Sequence, residues 1–153
     1  MTARLRRAVA ADAPLVACHR DAMFAEAGLP AEAVAAAGGP YRAWLAAALA
    51  DGSYLGWIAD VDGAVAGSIG LWLLPWPCHP KHPTASLRGY VSNMWVEPAH
   101  RRKGIGRLLM AEATAEAMAR SITWMALHAT EQGRALYESL GWQASNEMVL
   151  KLG

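Results

Sequence analysis

Residues 87–120 read LRGYVSNMWVEPAHRRKGIGRLLMAEATAEAMAR. Tyr90, Val91, Met94, Trp95 and Val96 give the stretch a β-type opening, and Pro98 stops it. As a strand, it places residues 90, 92, 94 and 96 on one face and 91, 93 and 95 on the other. A basic, glycine-punctuated turn follows (Arg101, Arg102, Lys103, Gly104, Ile105, Gly106), then a long run of good helix formers. The first amides of a helix lack intrahelical acceptors, and the helix dipole puts partial positive charge there. A strand that feeds a glycine turn at a helix start is therefore built to hold an anion. Glycines at 104 and 106 let the backbone take unusual dihedrals and approach a ligand closely.

Two familiar phosphate loops fail on specific residues. The P-loop needs Lys-Ser/Thr after its second glycine, where Arg107 and Leu108 stand. The dinucleotide fingerprint needs a third small residue where Leu109 stands, and an acidic residue ending the next strand, which here ends in His128. What fits is Arg/Gln-x-x-Gly-x-Gly/Ala after a strand ending in Val-x-Pro. Further on comes Ala135-Leu136-Tyr137-Glu138-Ser139-Leu140-Gly141-Trp142, and then Glu147-Met148-Val149-Leu150. Together these resemble the GNAT superfamily of acetyl-CoA-dependent N-acetyltransferases, specifically over about the last seventy residues and more loosely before them.

Outward from that stretch, the chain has the size of one domain, 1–153, long enough to bury a core. Hydrophobic residues at 54% against 18% charged argue against disorder, and a net charge of +1 offers no global field for nucleic acid. Arg101, Arg102, Lys103 and Arg107 form a local basic cluster only. Cys18 and Cys78 are too few for a disulfide framework and suit a reducing compartment. Arg6-Arg7 is not followed by an apolar signal region, because Asp12 and Pro14 intervene, and apolar runs such as 43–50 fall short of a bilayer span. The expectation is a cytoplasmic protein with neither membrane nor nucleic acid as partner.

Taken in order, residues 4–9 predict a strand, and Asp12 a cap for a helix that lasts until Gly28. Pro30 restarts an alanine-rich helix that Gly38-Gly39-Pro40 interrupts and 41–50 resumes. Strands 54–59 and 64–74 join through Asp60-Val61-Asp62-Gly63, a hairpin signal. The proline-punctuated loop 75–84 cannot be a central strand. Strand 87–96, helix 104–120 and strand 122–127 read as a parallel β-α-β unit, followed by a helix over 131–140 stopped by Gly141 and a final strand over 147–152. This order agrees with the fold the resemblance implies: an α/β chain with a mixed, mostly antiparallel sheet and helices on both faces. In that fold two parallel neighbours splay apart, and the cofactor's pantetheine lies in the gap.

Moving an acetyl group from a thioester to an amine requires a grip on the donor, a neutral amine, donors for the developing oxyanion and a proton for the leaving thiolate. Backbone amides over 102–107 suit the grip, supplemented by Arg101 and Lys103. The resemblance points to backbone groups at Met94, Trp95 and Val96 for the oxyanion, and to Tyr137 as general acid. A phenol with pKa near ~10 can protonate a thiolate of comparable basicity. Glu97, His79, His82, Glu26 and His128 all stand as candidate bases. Cys78-His79-x-x-His82 lacks an adjacent fourth metal ligand and reads better as a loop lining an acceptor pocket, so no metal is expected. Trp72, Trp76, Phe24, Tyr41 and Trp44 offer aromatic surface for that pocket. Thr130 departs from the family, whose asparagine there contacts pantetheine; Trp95 and Trp142 replace commoner tyrosine and phenylalanine.

The resemblance thus implies transfer from acetyl-CoA to a primary amine of a small molecule or peptide, with a homodimer as a further expectation. The competing reading is a non-catalytic acyl-CoA-binding sensor, against which Tyr137 speaks.

Overall fold

The computed structural model describes residues 2–152. The strands are β1 (Ala3–Arg7), β2 (Tyr54–Val61), β3 (Ala64–Pro75), β4 (Leu87–Val96) and β5 (Met125–Leu127). The helices are α1 (Ala13–Glu26), α2 (Ala31–Asp51), α3 (Ile105–Ala119) and α4 (Glu131–Ser139). The sheet runs in chain order, β1-β2-β3-β4-β5, antiparallel except for the parallel β4–β5 pair. Asp62 and Gly63, both at positive φ, make a two-residue turn, so the β2–β3 ladder continues through Val61↔Ala64.

Each face of the sheet carries its own core. On α3, Ile105, Leu109, Met110, Ala113 and Ala117 recur at helical spacing and bury against Leu55, Trp57, Ile69, Leu71 and Val91. On the opposite face, Val16 of α1 and Leu45 and Ala48 of α2 close over Tyr54. The mixed sheet with helices on both faces is the expected architecture.

Four expectations fail locally, each for a physical reason. Helix α2 runs unbroken through Gly38-Gly39-Pro40. Gly38 is buried against α1, where the Asp21 carboxylate lies within van der Waals reach, and burial on both sides of the proline holds a helix that local propensity would break. Asp12 makes no cap bond to α1; its carboxylate accepts from the Arg6 guanidinium and the Val9 amide, all at 2.9 Å. Strand β5 starts only at Met125, because Ser121 turns left-handed and the Ile122 amide donates to the Ala117 carbonyl, closing α3. The run 147–152 forms no strand, as no strand among the described residues pairs with it.

Candidate active site

Strand β4 is ten residues long, but only Gly89, Tyr90 and Val91 pair with β5. Beyond Val91 the two strands part. On its other side β4 stays paired with β3, through a bulge: Ser92 opposes Gly70 and Trp95 opposes Ser68, so Asn93 and Met94 together face Ile69. Asn93 sits at φ 54, a left-handed conformation that asparagine tolerates better than most residues. Its amide nitrogen donates to the Tyr41 hydroxyl and, at 3.2 Å, to that of Tyr54, whose ring crosses β3 where Gly70 leaves room. The bulge overturns the simple alternation along β4. Val91, Met94 and Val96 face the α3 side, while Tyr90, Ser92 and Asn93 face α2.

The turn after β4 begins with a 3-10 turn, Pro98–His100. Arg102 and Gly104 then take positive φ values of 57° and 85°, and Gly104 is the N-cap of α3. Among the described residues no backbone carbonyl accepts from the amides of 102–107. A run of unpaired amides at a helix mouth is an anion nest. Gly106 is there for packing: a Cβ on it would lie 3.1 Å from the Leu136 side chain and within 4 Å of Met94 and Val96. Helix α4 is thereby drawn against the first turn of α3 and the end of β4.

The basic side chains of the turn have other partners. Arg101 forks onto Glu26 of α1 at 2.7 and 3.1 Å, donates to the Val96 carbonyl at 3.0 Å, and lies 4.8 Å over the Trp95 ring. Its charge is therefore already met. Lys103 donates to the Ala99 carbonyl and Arg107 to the Ser139 hydroxyl.

Tyr137 lies on α4 and is buried in the α3-side core, in the same cluster as Ile105, a cluster against which Met94, Val96 and Leu127 also pack. Trp142 tilts against it at 6.3 Å, and Gly133 leaves the room that a Cβ would take from the ring. Burial pushes its pKa above the usual phenol range, so it holds its proton. Thr130 caps α4, its hydroxyl accepting from the Gly133 amide at 3.2 Å.

On the α2 face, where β4 and β5 part, a cavity of about 310 Å³ is lined by Tyr41, Trp44, Trp72, Tyr90, Ser92 and Asn93. Trp44 meets Trp72 edge-on at 5.3 Å and Tyr54 at 5.8 Å. Three of the five aromatics expected at an acceptor pocket therefore meet here. Phe24 instead stacks under Arg20 and Trp76 under Arg88. Tyr90, Ser92 and Asn93 were missed by the sequence reading; an asparagine in mid-strand was the available signal.

The candidate bases disperse. Glu97 accepts from the Trp95 indole at 3.2 Å and lies 3.3 Å from His19 Nε2; His19, almost fully buried, sets its Nδ1 2.7 Å from Ser68 Oγ. Glu26 is taken by Arg101, and His128 meets the Tyr90 hydroxyl. His79 and His82 face each other across a tight turn against Trp124. No cluster of three or more potential metal ligands occurs among the described residues.

The acetyltransferase (GNAT) family model matches residues 20–142, most of the chain. The chain belongs to the GNAT family. Among solved structures, a GCN5-related N-acetyltransferase from Ralstonia eutropha JMP134 is 45% identical, with 99% of each chain covered and a TM-score of 0.94. A predicted acetyltransferase from Clostridium acetobutylicum, solved with acetyl-CoA, is 24% identical over 99% of this chain and 96% of that one, with a TM-score of 0.88. An aminoglycoside acetyltransferase from an uncultured soil metagenomic sample shares the fold at 20% identity over the whole of both chains, TM-score 0.74. The GNAT chain described here is thus an acetyltransferase by family, and none of its helices among the described residues is long and apolar enough to cross a membrane.

Proposed function

We propose that this GNAT protein transfers an acetyl group from acetyl-CoA to a primary amine by direct attack, with Tyr137 as general acid. The observation that carries the reading is the run of acceptor-free amides over 102–107, which follows a strand whose pairing with β5 stops at Val91. Those amides suit a pyrophosphate, and the place where β4 loses its pairing with β5 suits an extended pantetheine, with Thr130 a further candidate contact. Acetyl-CoA supplies the thioester; a C–N bond forms as the C–S bond breaks. Backbone N–H groups at Met94, Trp95 and Val96 stabilise the developing oxyanion, where one such donor is worth about 3–4 kcal/mol. Tyr137 gives its proton to the departing sulfur, and the proton that the acylated nitrogen sheds returns to the phenolate through solvent.

The amine enters from the aromatic cavity on the α2 face. None of the six residues lining that cavity is a carboxylate, and Asp21 is paired with Arg20, which lies over the Tyr41 ring. A neutral aromatic wall favours a monoamine with an aromatic or apolar body over a polycation such as an aminoglycoside.

The test is calorimetry of coenzyme A binding, followed by thiol release across an amine panel. Binding at micromolar level with release driven by arylalkylamines and not by aminoglycosides is expected. Tight binding with no amine-dependent release would make the chain an acyl-CoA sensor, and no binding to folded protein would end the proposal.

A further inference from the structure

The face of β4 that lines the aromatic cavity continues past it. Tyr90 and Ser92 stand in the cavity wall, and the β3–β4 ladder is regular from Arg88↔Leu74 through Tyr90↔Trp72 to Ser92↔Gly70. Arg88 therefore presents its side chain on that same face, two residues from Tyr90. Burial raises the Tyr90 phenol above its ordinary range, with Glu147 adding to the rise and Arg88 opposing it. Both charges are thus felt at the cavity wall.

Arg88 is only 8% exposed, a rare place for a guanidinium. Its charged head lies 4.7 Å from the Trp76 ring and 6.0 Å from that of Trp124. Trp76 belongs to the proline-punctuated loop, whose His79 and His82 pack against Trp124. Both indoles are partly exposed, so the guanidinium sits just beneath the surface. Among the described residues the one carboxylate that meets it is Glu147, through a single Nη2–Oε2 contact of 3.0 Å, and the Glu147 side chain stays 54% exposed. The Nε of Arg88 is buried without a partner. A pair that served only to pin the chain would satisfy that donor, since the planar guanidinium takes a carboxylate through two parallel bonds. Glu147 leaves this seat half filled.

We infer that Arg88, between Trp76 and Trp124, is a subsite for a carboxylate carried by the acceptor amine, which displaces Glu147 and forks across Nε and Nη2. This rests on the amine entering through the aromatic cavity, as proposed above. It narrows the acceptor to an amine with an apolar or aromatic body and a carboxylate at its far end. Positions 88 and 92 lie about 13 Å apart along a strand, so an α-amino acid, with both groups on one carbon, is too short to serve both ends.

The full chain is assayed with para-(aminomethyl)phenylpropanoate and its neutral amide, para-(aminomethyl)phenylpropanamide. Phenylpropanoate, which has no amine, is titrated by calorimetry in the presence of coenzyme A and reads the subsite without transfer. The carboxylate amine should show a KM at least about tenfold below that of the amide, with kcat within about twofold. Arg88→Gln should erase that difference by raising the carboxylate's KM alone, and Arg88→Lys, which keeps the charge without the fork, should restore part of it. Glu147→Gln should lower the carboxylate's KM at least about threefold and leave the amide's unchanged; it decides the matter even if the Arg88 variants fail to fold. Circular dichroism and coenzyme A binding are the controls. Equal KM values for the two amines in the wild type, or no fall in Glu147→Gln, would overturn the subsite and leave acetyl transfer standing. Calorimetric binding of phenylpropanoate that Arg88→Gln abolishes, with transfer to neither amine, would keep the subsite and remove the transfer reading.

Discussion

Tyr137 carries the most specific claim at the scale of one residue. Its burial holds the phenol above the usual range near 10, so the protonated acid persists through any neutral or mildly alkaline assay. Replacing Tyr137 with Phe should lower turnover at saturating substrates by about 100-fold or more, while leaving coenzyme A affinity within about twofold. Any alkaline loss of the wild-type rate assignable to this group should fall above the range in which an ordinary phenol titrates. Stopped-flow thiol release against pH reads both; equal turnover in the two proteins would move the proton source elsewhere. The Leu-Tyr-Glu segment made this residue legible from sequence. The roles of Arg101 and Glu97 were not, because the partners that engage them, Glu26 and His19, lie on α1 far back in the chain.

Among the elements, β4 decides the site. Asn93 meets two demands at once, a left-handed backbone and a donor for the buried Tyr54 hydroxyl. Asn93→Ala should cost about 2–4 kcal/mol in urea unfolding, since it adds backbone strain to the loss of the hydrogen bond. Asn93→Gly should cost less, because only the hydrogen bond goes; equal losses would mean that the bulge imposes no strain. Strand and helix positions were readable wherever apolar period and turn residues agreed, as in α3 and the β2–β3 hairpin. The bulge escaped because a period-two reading assumes an uninterrupted ladder. Helix α2 escaped because Gly38-Gly39-Pro40 is overruled by packing against α1, and the last run because no strand among the described residues pairs with it.

Across the whole molecule, His19 joins α1 to the sheet through Ser68 and Glu97. Burial lowers its pKa below 6.5, only partly opposed by Glu97. Near pH 6 the unfolded chain thus binds more protons than the folded one, and stability rises with pH. The contribution is complete above pH 6.5 and is lost as pH falls through that value toward the lower folded pKa. The depressed carboxylates Asp12, Asp51 and Glu116 act in a separate window, at and below their ordinary range. The melting temperature should climb between about pH 5.5 and 7.5, and His19→Asn should flatten that climb. An unchanged slope in the variant would assign the effect to another group. Finally, three residue pairs stitch β4 to β5, against five between β1 and β2. That seam is the cheapest place for the sheet to come undone. A thioester lodged there would act as a temporary rung, and its departure as free thiol would return the molecule to its loosest state.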